Sequence, residues 1–179
     1  MQILKPTSQL EKTLPAFLKN VQKILFDQLN LIISNVNLEE ESAEYNACHF
    51  QCKGKNITFR IAKITPKKIG QFVTLWKRSH KGPIEPYHFK DKIDLYIIET
   101  QHINRIGYFI FTKEILNEKG ILFGKFEGKR GFRVYPEWDK PNNKQGISTQ
   151  KWQSAYFIDR SGDKKDLDTL KNHLEIFIK

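Results

Sequence analysis

Two stretches of the chain interleave cations with aromatic side chains, the combination that suits single-stranded nucleic acid: cations neutralise phosphates and flat rings stack on exposed bases. The first, Phe59 to Arg78, carries Arg60, Lys63, Lys67, Lys68, Lys77 and Arg78 around Trp76. The second alternates Lys125, Lys129, Arg130, Arg133, Lys144 and Lys151 with Phe126, Phe132, Tyr135, Trp138 and Trp152. No acidic residue occurs from Tyr45 to Ile84, so the cations there have no neutralising partner nearby in sequence. The expected phosphate contacts are Arg60, Lys63, Lys67, Lys68, Lys77, Arg78, Lys129, Arg130, Arg133 and Lys144. Trp76, Trp138 and Trp152 are the stacking candidates, although bulky aromatics also build cores. The alternative reading is a basic surface whose aromatics turn inward.

Other chemistry is thinly represented. Gly128-Lys129-Arg130-Gly131 is a compact basic turn that could sit on a phosphate, but it lacks the spacing of a phosphate-binding Walker loop and also reads as a plain hairpin turn. The amides Asn142, Asn143, Gln145, Gln150 and Gln153 could meet base edges or sugars, or simply cap turns. A metal-dependent nuclease needs carboxylates for a divalent cation and a lysine for the attacking water. The only such arrangement is Asp94, Glu99 and the Glu127-Gly128-Lys129 triplet, and the triplet lies in an apparent turn, where a ligand is poorly held. The five histidines show no metal-ligand spacing, and no glycine-bracketed nucleophilic serine is present. Glu39, Glu40, Glu41 and Glu44 read as a solvated acidic loop.

A chain of 179 residues fits one domain spanning 1–179, with 13 Phe, 6 Tyr and 3 Trp to fill a core. The formal net charge of +10 points to a polyanionic partner. Nucleic acid, an anionic membrane surface or an acidic protein would all qualify on charge alone. No apolar run approaches the roughly 20 residues that cross a bilayer, and no signal peptide is evident, so a cytoplasmic protein without a membrane partner is expected. Cys48 and Cys52 lie on one apparent strand, about 13 Å apart at 3.3 Å per residue, which reads as two free buried thiols.

The elements that must position these residues follow from periodicity. Leu10, Leu14, Phe17, Leu18, Val21, Ile24, Leu25 and Leu29 predict an amphipathic helix starting at Thr13, with Pro15 in its first turn. Tyr45 to Cys52 and Ile57 to Ile64 flank Lys53-Gly54-Lys55-Asn56 as a hairpin, and Phe72 to Lys77 alternates as a further strand. Lys81 to Pro86 is a predicted loop. Asp94–Glu99 and Gly107–Phe111 read as a central strand pair, Lys113–Lys119 as a short helix stopped by Gly120, and Phe132–Tyr135 as a strand. Asp139–Gly146 is a predicted polar loop, and Asp166–Lys179 a helix carrying Leu167, Leu170, Leu174 and Phe177.

Phe59 to Arg78, Gly107-Tyr-Phe-Ile-Phe111, Gly128-Lys-Arg-Gly-Phe-Arg-Val-Tyr-Pro136 and Thr149-Gln-Lys-Trp-Gln153 together resemble the MepB family, in the same order across roughly Glu44 to Phe157. That family is similar to proteins encoded beside a multidrug efflux pump and its repressor in staphylococci, an association that implies no reaction. The resemblance implies an α/β (α+β) fold of the PD-(D/E)XK endonuclease-like type, a mixed central sheet flanked by helices with a cleft for nucleic acid. That superfamily cuts with an acid on one strand and an acid-x-lysine on the next. Here Lys63 follows Ile61 and Lys113 follows Phe111, and an apolar side chain cannot hold magnesium.

The expectation is therefore a non-catalytic binder that grips phosphate backbone and favours single-stranded DNA or RNA over duplex, with no cofactor, metal or small-molecule substrate. Two alternatives remain open at this stage. One is a nuclease whose acids, such as Glu44, Asp94 and Glu99, converge from distant segments. The other is a module whose basic face meets an acidic protein.

Overall fold

The computed structural model describes residues 14–80, 82–162 and 167–175. In chain order the elements are helix α1 (Ala16–Val21), strands β1 (Ser34–Leu38), β2 (Cys48–Cys52), β3 (Lys55–Ile61), β4 (Lys63–Thr65), β5 (Lys68–Thr74), β6 (Trp76–Arg78), β7 (Ile84–Pro86), β8 (Leu95–His102) and β9 (Arg105–Thr112), helix α2 (Lys113–Glu118), strand β10 (Gly131–Val134), helix α3 (Lys144–Gln153), strand β11 (Phe157–Asp159) and helix α4 (Leu167–His173). They form a mixed α/β fold around a six-stranded sheet of order β1-β2-β3-β8-β9-β11.

The predicted hairpin is β2–β3. Its turn is only Lys53-Gly54, both at positive φ (45° and 74°), with Cys52 opposite Lys55. That conformation matches the twist of paired strands, and glycine adopts it without steric cost. The predicted central pair is β8–β9, antiparallel from Leu95↔Thr112 to His102↔Arg105. β3 and β8 run parallel, the one parallel pairing of this sheet among the described residues, so the chain must cross over between them. Residues 62–94 make that crossover as strands rather than a helix: β4 and β5, joined later in the chain by β10, form a second sheet, and β6 pairs with β7.

Both faces of the central sheet are consequently covered, as a parallel pair requires. On one face Leu18, Val21, Leu25 and Phe26 at helical spacing meet Phe50, Phe59, Ile97, Ile110 and Leu170. On the other, Val73, Phe132 and Val134 of the second sheet and Leu75 just after β5 meet Tyr96, Ile98, Phe109 and Phe111. The first helix has Pro15 at its N-cap and continues through a π turn at Gln22–Phe26. Its predicted start at Thr13 lies outside the described residues, as do Leu10, Asp166 and Phe177.

Two sequence expectations are corrected. Ile84–Pro86 is a strand, because a three-residue edge strand pairing on one side tolerates proline. The predicted loop Asp139–Gly146 gives way to helix α3 at Lys144, where Asn143 Oδ1 accepts from Gly146 N at 2.8 Å. Cys48 and Cys52 are buried free thiols.

Candidate nucleic-acid interface

The cations of Phe59–Arg78 separate into two groups. Arg60 is fully buried: its guanidinium donates to Glu39 Oε2 at 3.0 Å, Tyr87 Oη at 3.2 Å and Phe59 O at 2.8 Å. Glu39 Oε1 lies 2.9 Å from both Arg60 Nη1 and His49 Nε2. Burial alone would raise the Glu39 carboxyl, but the His49 hydrogen bond and the Arg60 charge outweigh it and hold it below its ordinary value. Lys77 pairs with Asp91 at 2.6 Å, and Arg78 with Glu41 at 2.6 Å. The acidic loop is thus not merely solvated, since two of its carboxylates neutralise strand cations. Arg60 cannot make the phosphate contact expected of it.

Lys67 and Lys68 instead converge with cations from later in the chain. Lys67 and Lys68 project from the β4–β5 turn, Lys129 and Arg133 come from the β10 segment, and Lys119 ends α2; together they line a cleft of about 590 Å³. None of its lining residues is acidic. The wall is held by specific packing. Gly70 has φ +83°, and a Cβ there would come within 2.6 Å of the Tyr135 ring, so the close approach of β5 to the β10 exit needs glycine. Gln153, fully buried, accepts from Tyr135 N at 2.8 Å and donates to Arg133 O at 3.0 Å, fixing α3 to β10. Arg133 is itself oriented by donating to Gly70 O at 2.9 Å and Thr65 Oγ1 at 2.7 Å. Two of its five donors are so engaged, and the charge stays in the cleft wall.

The residues before and at the start of α3, Asn142, Asn143 and Gln145, also line the cleft, so the positive end of that helix adds to the cationic field. Of the five amides named from sequence, Asn143, Gln150 and Gln153 are engaged structurally: Gln150 donates to Pro136 O and Asp139 O. Lys144 is exposed beside the cleft residues Asn143 and Gln145. Lys63 is exposed but rests over the Tyr45 ring at 4.6 Å, and Arg130 donates to Ile84 O at 3.2 Å; neither lines the cleft.

The three tryptophans are all half-buried. Only Trp152 lines the cleft, and its ring packs on Phe111 at 5.6 Å and Tyr156 at 6.4 Å, with the Lys119 ammonium 5.8 Å from its centroid. Trp138 packs edge-on against Phe157 with Arg105 5.5 Å from its ring, and Trp76 lies in β6 opposite Pro86. Lys119 is the cleft cation that sequence reasoning missed, because it falls in a helix end away from both basic stretches.

The acids of the nuclease alternative do not meet. Asp94 and Glu99 are five residues apart along one extended segment, about 16 Å, and on opposite faces. Asp94 Oδ2 accepts from Asn56 N at 2.8 Å, while Glu99 is buried and accepts from Gln101 Nε2. Burial raises the Glu99 carboxyl above its ordinary value despite that hydrogen bond. Among the described residues no three His, Cys, Asp or Glu side chains are grouped so as to hold a metal ion.

A family model described as MepB-like matches residues 39–159, a span that takes in both basic stretches and every wall of the cleft. The chain belongs to the MepB-like family. A solved MepB structure is 33% identical and superposes with a TM-score of 0.71 over 85% of this chain and 100% of that one. A bacterial homing endonuclease is 10% identical with a TM-score of 0.43 over 82% of this chain and 91% of its own, a weak likeness. No curated protein matches the sequence. This MepB-like chain carries no helix long and apolar enough to cross a membrane among its described residues.

Proposed function

We propose that this MepB-like protein binds single-stranded DNA or RNA through the cleft between the second sheet and α3, and does so without cutting it. The observation that carries the reading is a cleft lined by Lys67, Lys68, Lys119, Lys129 and Arg133 with no carboxylate among its lining residues. Lys119 pairs with Glu118 at 3.1 Å, but Lys67, Lys68, Lys129 and Arg133 have no acidic partner among the described residues, and such converging charges repel one another unless an anion joins them. At about 590 Å³ the cleft is of the size that small ligands occupy, roughly 300–1,000 Å³, which admits part of one strand and leaves a duplex only the rim. The dispersal of Asp94 and Glu99 supports binding over cleavage.

The test is fluorescence anisotropy with labelled single-stranded DNA, single-stranded RNA and duplex of one length, followed by a gel after incubation with magnesium or manganese. Tighter binding of intact single strands, weakened by Lys67→Glu and Lys129→Glu and not by Lys63→Glu, is the expected result. Shortened product would refute binding without cutting. Equal affinity for duplex would refute the strand preference, and indifference to the cleft substitutions would refute the site.

A further inference from the structure

The cleft offers cations but little open aromatic surface, since Trp152 is half-buried with its ring packed on Phe111 and Tyr156. The exposed rings lie next door, on residues 120–128. Phe123 is 47% and Phe126 51% exposed, unusual for phenylalanine on a chain with a filled core.

The loop is built to hold them. Gly124 N donates to Phe126 O at 3.0 Å, closing a tight turn, and Asn117 Oδ1 accepts from Lys125 N at 3.0 Å. Lys129 N donates to Ile121 O at 2.8 Å and fixes the exit. The Phe126 ring rests on Gly120, which has φ +68° and where a Cβ would meet the ring at 3.3 Å. The left-handed backbone at 120 favours glycine, and any side chain there would press on the seated ring.

Phe126 lines a second groove of about 620 Å³ together with Gly120, Gly128, Glu118, Glu127, Lys119 and Lys129. Lys119 and Lys129 also line the cationic cleft, so the two spaces share a border. Their charge differs: five cations and no acid in the cleft, two cations against Glu118 and Glu127 in the groove. A strand crossing that border is sorted by charge, its phosphates held in the cleft and its least charged part directed to the groove.

We infer that the Phe126 groove is a base-stacking subsite, in which an unpaired nucleobase of the strand held by the cleft lies on the Phe126 ring. The Lys125 ammonium, 5.6 Å from that ring's centroid, faces the same platform. This inference rests on the proposed cleft function and adds the residue that distinguishes a strand with bases from a bare phosphate chain.

The test compares a 12-nucleotide single strand with an abasic oligomer of the same length and charge, using the full chain. The native protein is expected to bind the base-bearing strand about tenfold more tightly, the order of one stacked base. Phe126→Leu should abolish that difference while leaving abasic binding and its salt dependence unchanged, which also shows the variant is folded; Phe126→Tyr should keep it. A full tenfold preference in Phe126→Leu, or its loss in Trp152→Leu alone, would overturn the subsite and leave the cleft reading intact. Failure of the native protein to bind either oligomer at low salt would overturn both.

Discussion

Replacing Glu39 by alanine should cost far more stability than replacing Arg60 by methionine, though the two form one ion pair. The Arg60 side chain is 0% exposed and that of Glu39 19%. Without Glu39 the guanidinium is a buried charge with only the Tyr87 hydroxyl and the Phe59 carbonyl as polar partners. Breaking a buried pair in this way costs about 3–5 kcal/mol, and the partial exposure of Glu39 favours the lower end, about 3 kcal/mol. Arg60→Met removes the sealed charge and fills its space, and the remaining carboxylate keeps His49 at 2.9 Å and reaches water; a cost of about 1 kcal/mol is expected. With a urea slope of about 2 kcal/mol per M, the midpoints should fall by about 1.5 M and 0.5 M. Equal shifts, or a larger shift in Arg60→Met, would refute the assignment of Arg60 as an internal structural charge. The same Arg60→Met protein should bind single strands as the native protein does, in contrast with the phosphate contact its sequence position suggests.

The remaining expectations follow from burial. The depressed Glu39 carboxyl contributes stability above its unfolded value, near the ordinary 4.5, and that contribution is lost as pH falls through the folded value; Glu39→Ala should flatten the acid limb of a stability–pH curve. Glu99 has the opposite sign, because its folded value is raised: the native state favours the protonated form, and stability declines as pH rises through that value. Glu99→Gln should therefore raise the urea midpoint at pH 7 and not below about pH 4.5, and a pH-independent effect would contradict this. Burial pushes the Cys48 thiol up to about 12, so at pH 8 it should react with an aromatic disulfide only after unfolding, read as delayed colour release. Gln153→Ala leaves Tyr135 N–H and Arg133 C=O without their side-chain partner and should cost about 2 kcal/mol, with weaker strand binding as α3 loses its tie to β10.

How much was legible in the sequence depended on whether the deciding contacts were local. β8 and β9 are short apolar runs with one turn between them, and the β2–β3 turn announces itself through Lys53-Gly54. Helix α3 escaped because no apolar stripe marks it: Ile147 is 53% exposed, and the helix is held through the amides of Gln150 and Gln153. Lys67, Lys68, Lys129 and Arg133 were picked out by composition, and the structure brings them together. Composition alone could not separate them from Arg60, Lys77 and Arg78, whose partners Glu39, Asp91 and Glu41 lie outside the acid-free stretch. Lys119 required the fold, and so did the exposure of Phe126, which the sequence marks only as one of the aromatics interleaved with cations.

The central claim, a strand held by the cations of an acid-free cleft, is tested most directly by the salt dependence of single-strand affinity in the native protein and in Lys67→Glu/Lys129→Glu. Each neutralised phosphate contributes a slope of about −0.7 in log affinity against log salt, so engagement of three to five cleft cations should give roughly −2 to −3.5. The double variant should lose affinity and flatten that slope by about 1.4. A native slope near zero, or one unchanged by both substitutions, would contradict the account.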